Sequence, residues 1–282
     1  MSVLRRYQDF CLAYKLPNSW PIPTKTTLHF IAYLSIQNLS TNTVQLYVRA
    51  LSYLHKIRLL PDPTKSILVI KSIQGLKRTN GKKPDTRRPI TIHILQKVVH
   101  ALPQISSSHY EMNLFKSAFC LAYFGLLRVG EITVANQLSI KNHHAIRLQD
   151  VNINTKQNQI QILIPHSKTD QIGHQTTLVI KSEPKFTSIC PVQTLCTFRT
   201  QKPSTIPSCQ FFVHSDTTPL TRYQFNAILQ KALVLAGVKG HFATHSFRIG
   251  RATDMALRGV PDSDIKKSGR WKSDAFISYI RI

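Results

Sequence analysis

Twelve residues in the first third of the chain, Arg78-Thr79-Asn80-Gly81-Lys82-Lys83-Pro84-Asp85-Thr86-Arg87-Arg88-Pro89, carry five cations and, the prolines aside, no apolar side chain. A segment of this kind has nothing to add to a hydrophobic core, so the chain on either side of it must bury its apolar residues separately. The reading is a first unit over residues 1–78, a basic linker over 79–89 and a second unit over 90–282. At 282 residues and 42% apolar content, there is material for two cores.

Upstream of the break the apolar residues recur at helical spacing. Leu4, Tyr7, Phe10, Cys11 and Tyr14 form one stripe; Leu28, Ile31, Ala32 and Leu34 form a second after Thr24; Val44, Tyr47, Leu51 and Leu54 form a third behind the cap candidate Ser40; and a fourth runs from about Ser66 to Leu76. This predicts a small all-helical unit. Downstream, Thr91 caps a helix carrying Ile92, Leu95, Val98 and Val99, and the strongly apolar run from Met112 to Leu127 reads as a helix central to the core. From Ala145 the period changes to two. Ala145–Leu148 and Val151–Ile153 read as short strands, and Gln159–Ile164 pairs with Gln175–Ile180 across a polar hairpin containing Lys168. Further helices are predicted over Pro191–Thr200, Arg222–Leu235, Ser246–Leu257 with Thr244 as cap, a stretch ending at Ser268, and a last one carrying Tyr279. The expected fold class is therefore mainly α with a small antiparallel sheet.

Charge narrows the partner. Lys and Arg number 37 against 13 acids, a net charge of +24 spread along the whole chain, which favours a polyanion such as DNA or RNA. Lys82, Lys83, Arg87 and Arg88 are candidate DNA contacts, since each cation near a phosphate adds counterion-release affinity. The same run also suits nuclear import, although a solvated linker is the plainer reading. Tyr47, Arg49 and Lys56 on the third helix offer a face that either meets DNA or is simply solvated. The five cysteines form no CxxC pair, as expected of reduced thiols in a cytosolic or nuclear protein. No secretory apolar core stands at the N-terminus and no apolar run approaches the roughly 20 residues of a bilayer span, so no membrane partner is expected. His241 and His245 are four apart, but no H-E-x-x-H motif or clear third ligand accompanies them, and the acids are dispersed; no metal and no cofactor are expected.

Several polar signals have a bland explanation when taken singly. Arg128 at the end of the apolar helix complements the helix dipole or pairs with Glu131, and a lysine in a hairpin is ordinarily solvated. Collected near the C-terminus, however, His245, Arg248, Arg270, Trp271 and Tyr279 form a set suited to phosphate chemistry. Guanidiniums bind phosphoryl oxygens, imidazole moves protons, and a deprotonated phenol is a nucleophile.

The run Phe124-Gly125-Leu126-Leu127-Arg128-Val129-Gly130-Glu131, the lysine of Ser167-Lys168-Thr169, His245-Ser246-Phe247-Arg248, Gly269-Arg270-Trp271 and Tyr279-Ile280-Arg281 follow one another in an order that resembles the tyrosine recombinase, or phage integrase, catalytic domain. The wording around Lys168, His245 and Tyr279 is most similar to the eukaryotic mobile-element branch, the Crypton and DIRS-like recombinases. The first unit resembles the family's SAM-like helical core-binding domain. The resemblance implies that Tyr279 attacks a DNA phosphodiester and holds it as a 3′-phosphotyrosine, with Arg128 and Arg248 neutralising the non-bridging oxygens. It implies Lys168 as general acid to the departing 5′ oxygen and His245 as an aid to proton transfer. Trp271 is implied to pack against the site and donate its indole N–H, and Glu131 to hold a neighbouring side chain. A free tyrosine with a pKa of about 10 is almost wholly phenol at neutral pH, which explains why such a nucleophile is surrounded by cations.

In one respect the chain departs from the pattern. The family usually places His or Trp directly after the glycine; here Arg270 stands there and Trp271 one residue later, so either Trp271 fills that role or Arg270 is a third phosphate contact. The family further implies double-stranded DNA as partner, a homotetramer on two duplexes when active, and a nuclear location for a eukaryotic element. Two rivals are a catalytically silent, transposon-derived DNA-binding protein and a metal-free nicking enzyme of the topoisomerase kind. Unbroken retention of Arg128, Lys168, His245, Arg248 and Tyr279 argues against the first.

Overall fold

A computed structural model describes residues 3–81, 84–136, 144–164, 175–203, 206 and 209–282. The chain divides into two compact units, Met1–Asp85 and Thr86–Ile282.

The first unit is built from α1 (Val3–Ala13), α2 (Thr24–Ile36), α3 (Thr41–Ile57) and α4 (Ile67–Asn80). Their apolar stripes meet in a core of Tyr7, Phe10, Phe30, Leu34, Val44, Leu51 and Val69, where Tyr7 presents its ring edge to Phe30 at 5.3 Å between centroids. Ser40 caps α3 by accepting the Thr43 N–H at 3.2 Å. His55 is wholly buried: its Nε2 accepts the Ile22 N–H at 3.1 Å while its Nδ1 donates to the Leu51 carbonyl at 2.8 Å, so the histidine satisfies two backbone groups in an apolar setting. The fourth helix runs on to Asn80 and takes in the first residues of the expected linker.

The second unit is organised around α6 (His109–Phe124), whose residues from Glu111 to Phe124 are nearly all buried. Ser108 caps it by accepting the Glu111 N–H at 3.2 Å. Around α6 pack α5 (Ile92–Ile105), α8 (Pro191–Gln201), α9 (Arg222–Leu235) and α10 (Ser246–Leu257). Phe119 meets Phe225 at 4.8 Å and Phe247 at 5.5 Å between ring centroids, which joins α6, α9 and α10 in one aromatic cluster. The short α7 (Val129–Ile132) follows α6, and α11 (Asp262–Ser268) and a final 3-10 turn (Asp274–Tyr279) follow α10. The fold class is the expected one, mainly helical with a small antiparallel sheet.

That sheet has the order β1 (Val151–Asn154), β2 (Gln159–Ile164), β3 (Thr176–Lys181). Ile160, Ile162 and Ile164 of β2 face the core, and the β2–β3 register runs from Gln159 opposite Lys181 to Ile164 opposite Thr176. One expected strand differs. Arg147 makes only an isolated bridge to Gln210, and its N–H is drawn to the Asp150 carboxylate at 2.8 Å, so Leu148–Asp150 closes as a 3-10 turn. The end of the expected linker also differs, because Arg88 donates its N–H to His241 at 2.8 Å and Ile90 donates to Ser246 at 2.9 Å, which binds this segment into the second unit. At the start of α10 the N-cap position is His245 rather than Thr244, and the Ser246 hydroxyl accepts the Ala243 N–H at 3.0 Å. Among the described residues no helix is long and apolar enough to cross a membrane.

Candidate active site

The buried end of α6 sets the position of the first arginine. Gly125 closes the helix, Leu126 turns back in the left-handed region at φ 47°, and Arg128 follows as the N-cap of α7. Three residues on, Glu131 folds back: its carboxylate accepts the Arg128 N–H at 2.9 Å and the Arg128 Nη1 at 3.2 Å. The same carboxylate takes Nη2 of Arg270 at 2.7 Å, and the Arg270 and Glu131 side chains are 8% and 5% exposed. The ion pair read locally between Arg128 and Glu131 is thus half of a three-residue arrangement.

Arg248 is 1% exposed, among the most deeply buried side chains of the protein. Nη1 donates to the Leu126 carbonyl and Nη2 to the Gly269 carbonyl at 3.0 Å, so the left-handed turn at Leu126 supplies one of its anchors. Its Cζ lies 4.6 Å from the ring centre of Trp271 and 5.6 Å from that of Tyr279. Burial and the nearby Arg128 and Arg270 lower its pKa to about 10, opposed by Glu131 and Tyr279, so the guanidinium stays charged at neutral pH.

Tyr279 is half-buried and rests on Trp271 at 5.2 Å and near His245 at 6.3 Å between ring centroids. Its backbone is held to α10 by Thr253, whose hydroxyl donates to the Tyr279 carbonyl at 3.4 Å and accepts the Arg281 N–H at 3.0 Å. Beneath lie Leu126, Ala252, Met255, Ile265 and Phe276, with Trp271 and Tyr279 packed on them. A Cβ at Gly269 would stand 1.7 Å from the Trp271 ring, so only glycine lets the indole lie there. His245 is pushed down to about 4, first by burial and then by Arg87, Arg248, Arg222 and Arg128, and its buried Nδ1 has no hydrogen-bond partner. At neutral pH the imidazole is therefore uncharged.

The structure brings together Arg128, Glu131, His245, Arg248, Arg270, Trp271 and Tyr279 from segments far apart in the chain. Lys168, Lys82 and Lys83 lie outside the described residues. Of the remaining linker cations, Arg87 contributes to the field at His245, while Arg88 is exposed and donates from Nη1 to the Lys239 carbonyl at 3.3 Å. Phe242 and Phe247, read as core residues, are buried in the core. Arg222 was passed over: it opens α9, where the helix dipole disfavours a cation, and that mismatch was the available signal. Among the described residues no three His, Cys, Asp or Glu side chains gather where a metal ion could be held.

Residues 92–280 match the model of the phage integrase family, and the chain belongs to that family. It is 25% identical over 286 residues to an integrase/recombinase XerD homologue of Selenomonas ruminantium, covering 96% of this chain and 76% of that protein. In fold it is similar to the XerH site-specific recombinase bound to a palindromic difH substrate in a post-cleavage complex (TM-score 0.60, 12% identity, 99% of this chain and 72% of that one). It is likewise similar to a lambda integrase dimer bound to a COC′ core site (TM-score 0.58, 16% identity, 99% and 71%), and to the Tn1549 transposon integrase in complex with circular intermediate DNA (TM-score 0.58, 11% identity, 100% and 96%).

Proposed function

We propose that the chain is a site-specific DNA recombinase of a eukaryotic mobile element and works in the nucleus, cutting and rejoining double-stranded DNA through a 3′-phosphotyrosine at Tyr279. The observation that carries this reading is the placement of the Tyr279 ring against the Arg248 guanidinium, with His245 and Trp271 at its flanks. In the forward step the Tyr279 oxygen attacks phosphorus, the bond from phosphorus to the 5′ oxygen breaks, and that oxygen leaves with a proton from Lys168. The proton released by the phenol passes to a base, the role given to His245. Its buried, unpartnered Nδ1 suits that role once a bound phosphodiester offsets the surrounding positive field. Arg128 and Arg248 balance the charge that grows on the non-bridging oxygens. No water enters this exchange, so the phosphodiester energy is retained for religation.

Residues 1–78 would form the helical DNA-binding half and 90–282 the catalytic half, with the basic stretch between them near the phosphates. Strand exchange between two duplexes calls for four such protomers. The resemblance of Lys168, His245 and Tyr279 with their neighbours to Crypton and DIRS-like sequences motivates the mobile-element assignment. The test is a nicked suicide duplex cut from the DNA that flanks the coding sequence. Wild-type protein is expected to become covalently attached, and Tyr279→Phe to bind equally well without attachment. An adduct that persists in Tyr279→Phe would falsify the nucleophile assignment, and binding without any adduct in the wild type would favour the silent DNA-binding alternative.

A further inference from the structure

The attacking group of the proposed reaction sits on a slight piece of structure. Tyr279 ends a 3-10 turn of six residues, Asp274–Tyr279, and the chain leaves it extended at Ile280. A turn of this kind has poor hydrogen-bond geometry and little stability of its own. Its side-chain caps are local: Ser273 accepts the Ala275 N–H at 3.4 Å, and the Ser278 hydroxyl donates to the Ala275 carbonyl at 2.7 Å. The pair of Lys266 with the exposed Asp274 carboxylate, at 3.0 Å, adds little in water. Among the described residues the Tyr279 hydroxyl has no hydrogen-bond partner, so the place of its oxygen is inherited from the main chain and from the rings beside it.

Thr253 supplies the main-chain part. It is 2% exposed and lies on α10, the helix that carries Arg248. A threonine inside a helix commonly returns its hydroxyl to the carbonyl four residues earlier. A hydroxyl has one proton, and here it goes to the Tyr279 carbonyl at 3.4 Å, while the same oxygen accepts the Arg281 N–H at 3.0 Å. Both bonds therefore leave the helix for the segment that carries the tyrosine. β-branching makes threonine a poor helix former but confines its χ1, so the hydroxyl is held in its direction by the helix itself. The longer of the two bonds is weak alone; the pair, one on either side of Tyr279, is what fixes its main chain.

We infer that Thr253 is a positioning residue for the nucleophile, its hydroxyl setting how the phenol oxygen of Tyr279 stands to the phosphate assigned to Arg248. It touches no reacting atom and acts through Tyr279. The inference rests on the strand-transfer reading above and deepens it by naming the side chain that aligns the attack.

The experiment uses the full chain and the nicked duplex of the flanking sequence, and reads two quantities separately: the maximal rate of adduct formation at saturating DNA, and the DNA concentration at half-saturation. Thr253→Val keeps the shape of the side chain and removes the hydroxyl, whereas Thr253→Ser keeps the hydroxyl and removes a methyl group. Thr253→Val is expected to lower the maximal rate about tenfold or more while half-saturation stays within about twofold, since misplacing a reacting group by about 1 Å costs on the order of a hundredfold. Thr253→Ser should keep a rate within about threefold of wild type, because it preserves the alignment. A role in packing alone predicts the reverse order, with Thr253→Val near wild type and Thr253→Ser impaired. Thr253→Ala, which lacks both groups, should be as slow as Thr253→Val, so the result does not depend on one variant. A wild-type rate in Thr253→Val, a Thr253→Ser as slow as Thr253→Val, or a change confined to half-saturation would overturn the inference while leaving Tyr279 as nucleophile. Absence of adduct with the wild type would instead sink the strand-transfer reading, and this inference with it.

Discussion

At the scale of single residues, the charge state of His245 has a consequence that can be measured without DNA. In the unfolded chain its imidazole titrates near the ordinary value of 6.5, whereas in the fold burial and four arginines lower the pKa to about 4. Between those values the unfolded state binds more protons than the folded one, so stability contributed at this site falls as pH drops from about 6.5 towards 4, and is flat above. Thermal melts should therefore show a lower Tm at pH 5 than at pH 7, with a smaller fall in His245→Asn. An equal fall in that variant would mean that other groups account for the acid sensitivity. Arg128, His245, Arg248, Trp271 and Tyr279 could be singled out in the sequence because the family resemblance sets them at recognisable intervals, and the fold brings them together. The triple arrangement on Glu131 was not, because Arg270 lies 139 residues away and nothing local distinguishes an Arg–Glu pair from a shared carboxylate.

At the scale of elements, α10 does most to position the site. One face sends Phe247 into the aromatic cluster with Phe119 and Phe225. Arg248 and Thr253 reach the candidate site, and Asp254 accepts the Ile92 N–H at 2.7 Å and the Tyr123 hydroxyl. Gly250 allows the segment at Ile90 to lie directly on the helix: a Cβ there would stand 1.7 Å from the Ile90 carbonyl oxygen. That segment is itself bonded to Ser246, so it has little room to retreat. Gly250→Ala is expected to cost about 2 kcal/mol or more through overpacking, a Tm fall of roughly 5 °C for a unit of this size. An unchanged Tm would show that the contact relaxes without strain. The helix itself was readable from its periodicity, as was the pairing of β2 with β3. The piece at Ala145–Leu148 was misread as a strand because alternation over four residues cannot reveal that Asp150 captures the Arg147 N–H. The short α7 left no periodic trace at all, being only four residues long.

At the scale of the whole molecule, the net charge of +24 determines how binding should respond to salt. A protein that neutralises six or more phosphates loses about a thousandfold in DNA affinity between roughly 50 and 200 mM salt, with a linear double-logarithmic slope. Fluorescence anisotropy with a duplex of the flanking sequence should give such a slope, and a nearly flat response would contradict phosphate contact as the main source of affinity. The division into two units was visible in the sequence because charge and composition change together over Arg78–Pro89, whereas the attachment of Arg88 and Ile90 to the second unit depends on backbone partners more than 150 residues distant.

The hold of Thr253 on both sides of Tyr279 bears on how subunits share the labour proposed above. The carbonyl of Tyr279 and the amide of Arg281 are tied to one hydroxyl of the helix that bears Arg248, which fixes the main chain of Tyr279 relative to that guanidinium. On the proposed reading, a protomer made this way would bring attacking oxygen and charge-stabilising guanidinium to its own phosphate as a single unit. Cooperation among the proposed copies would then concern the timing and alignment of DNA strands, not the donation of a nucleophile from one molecule to the next.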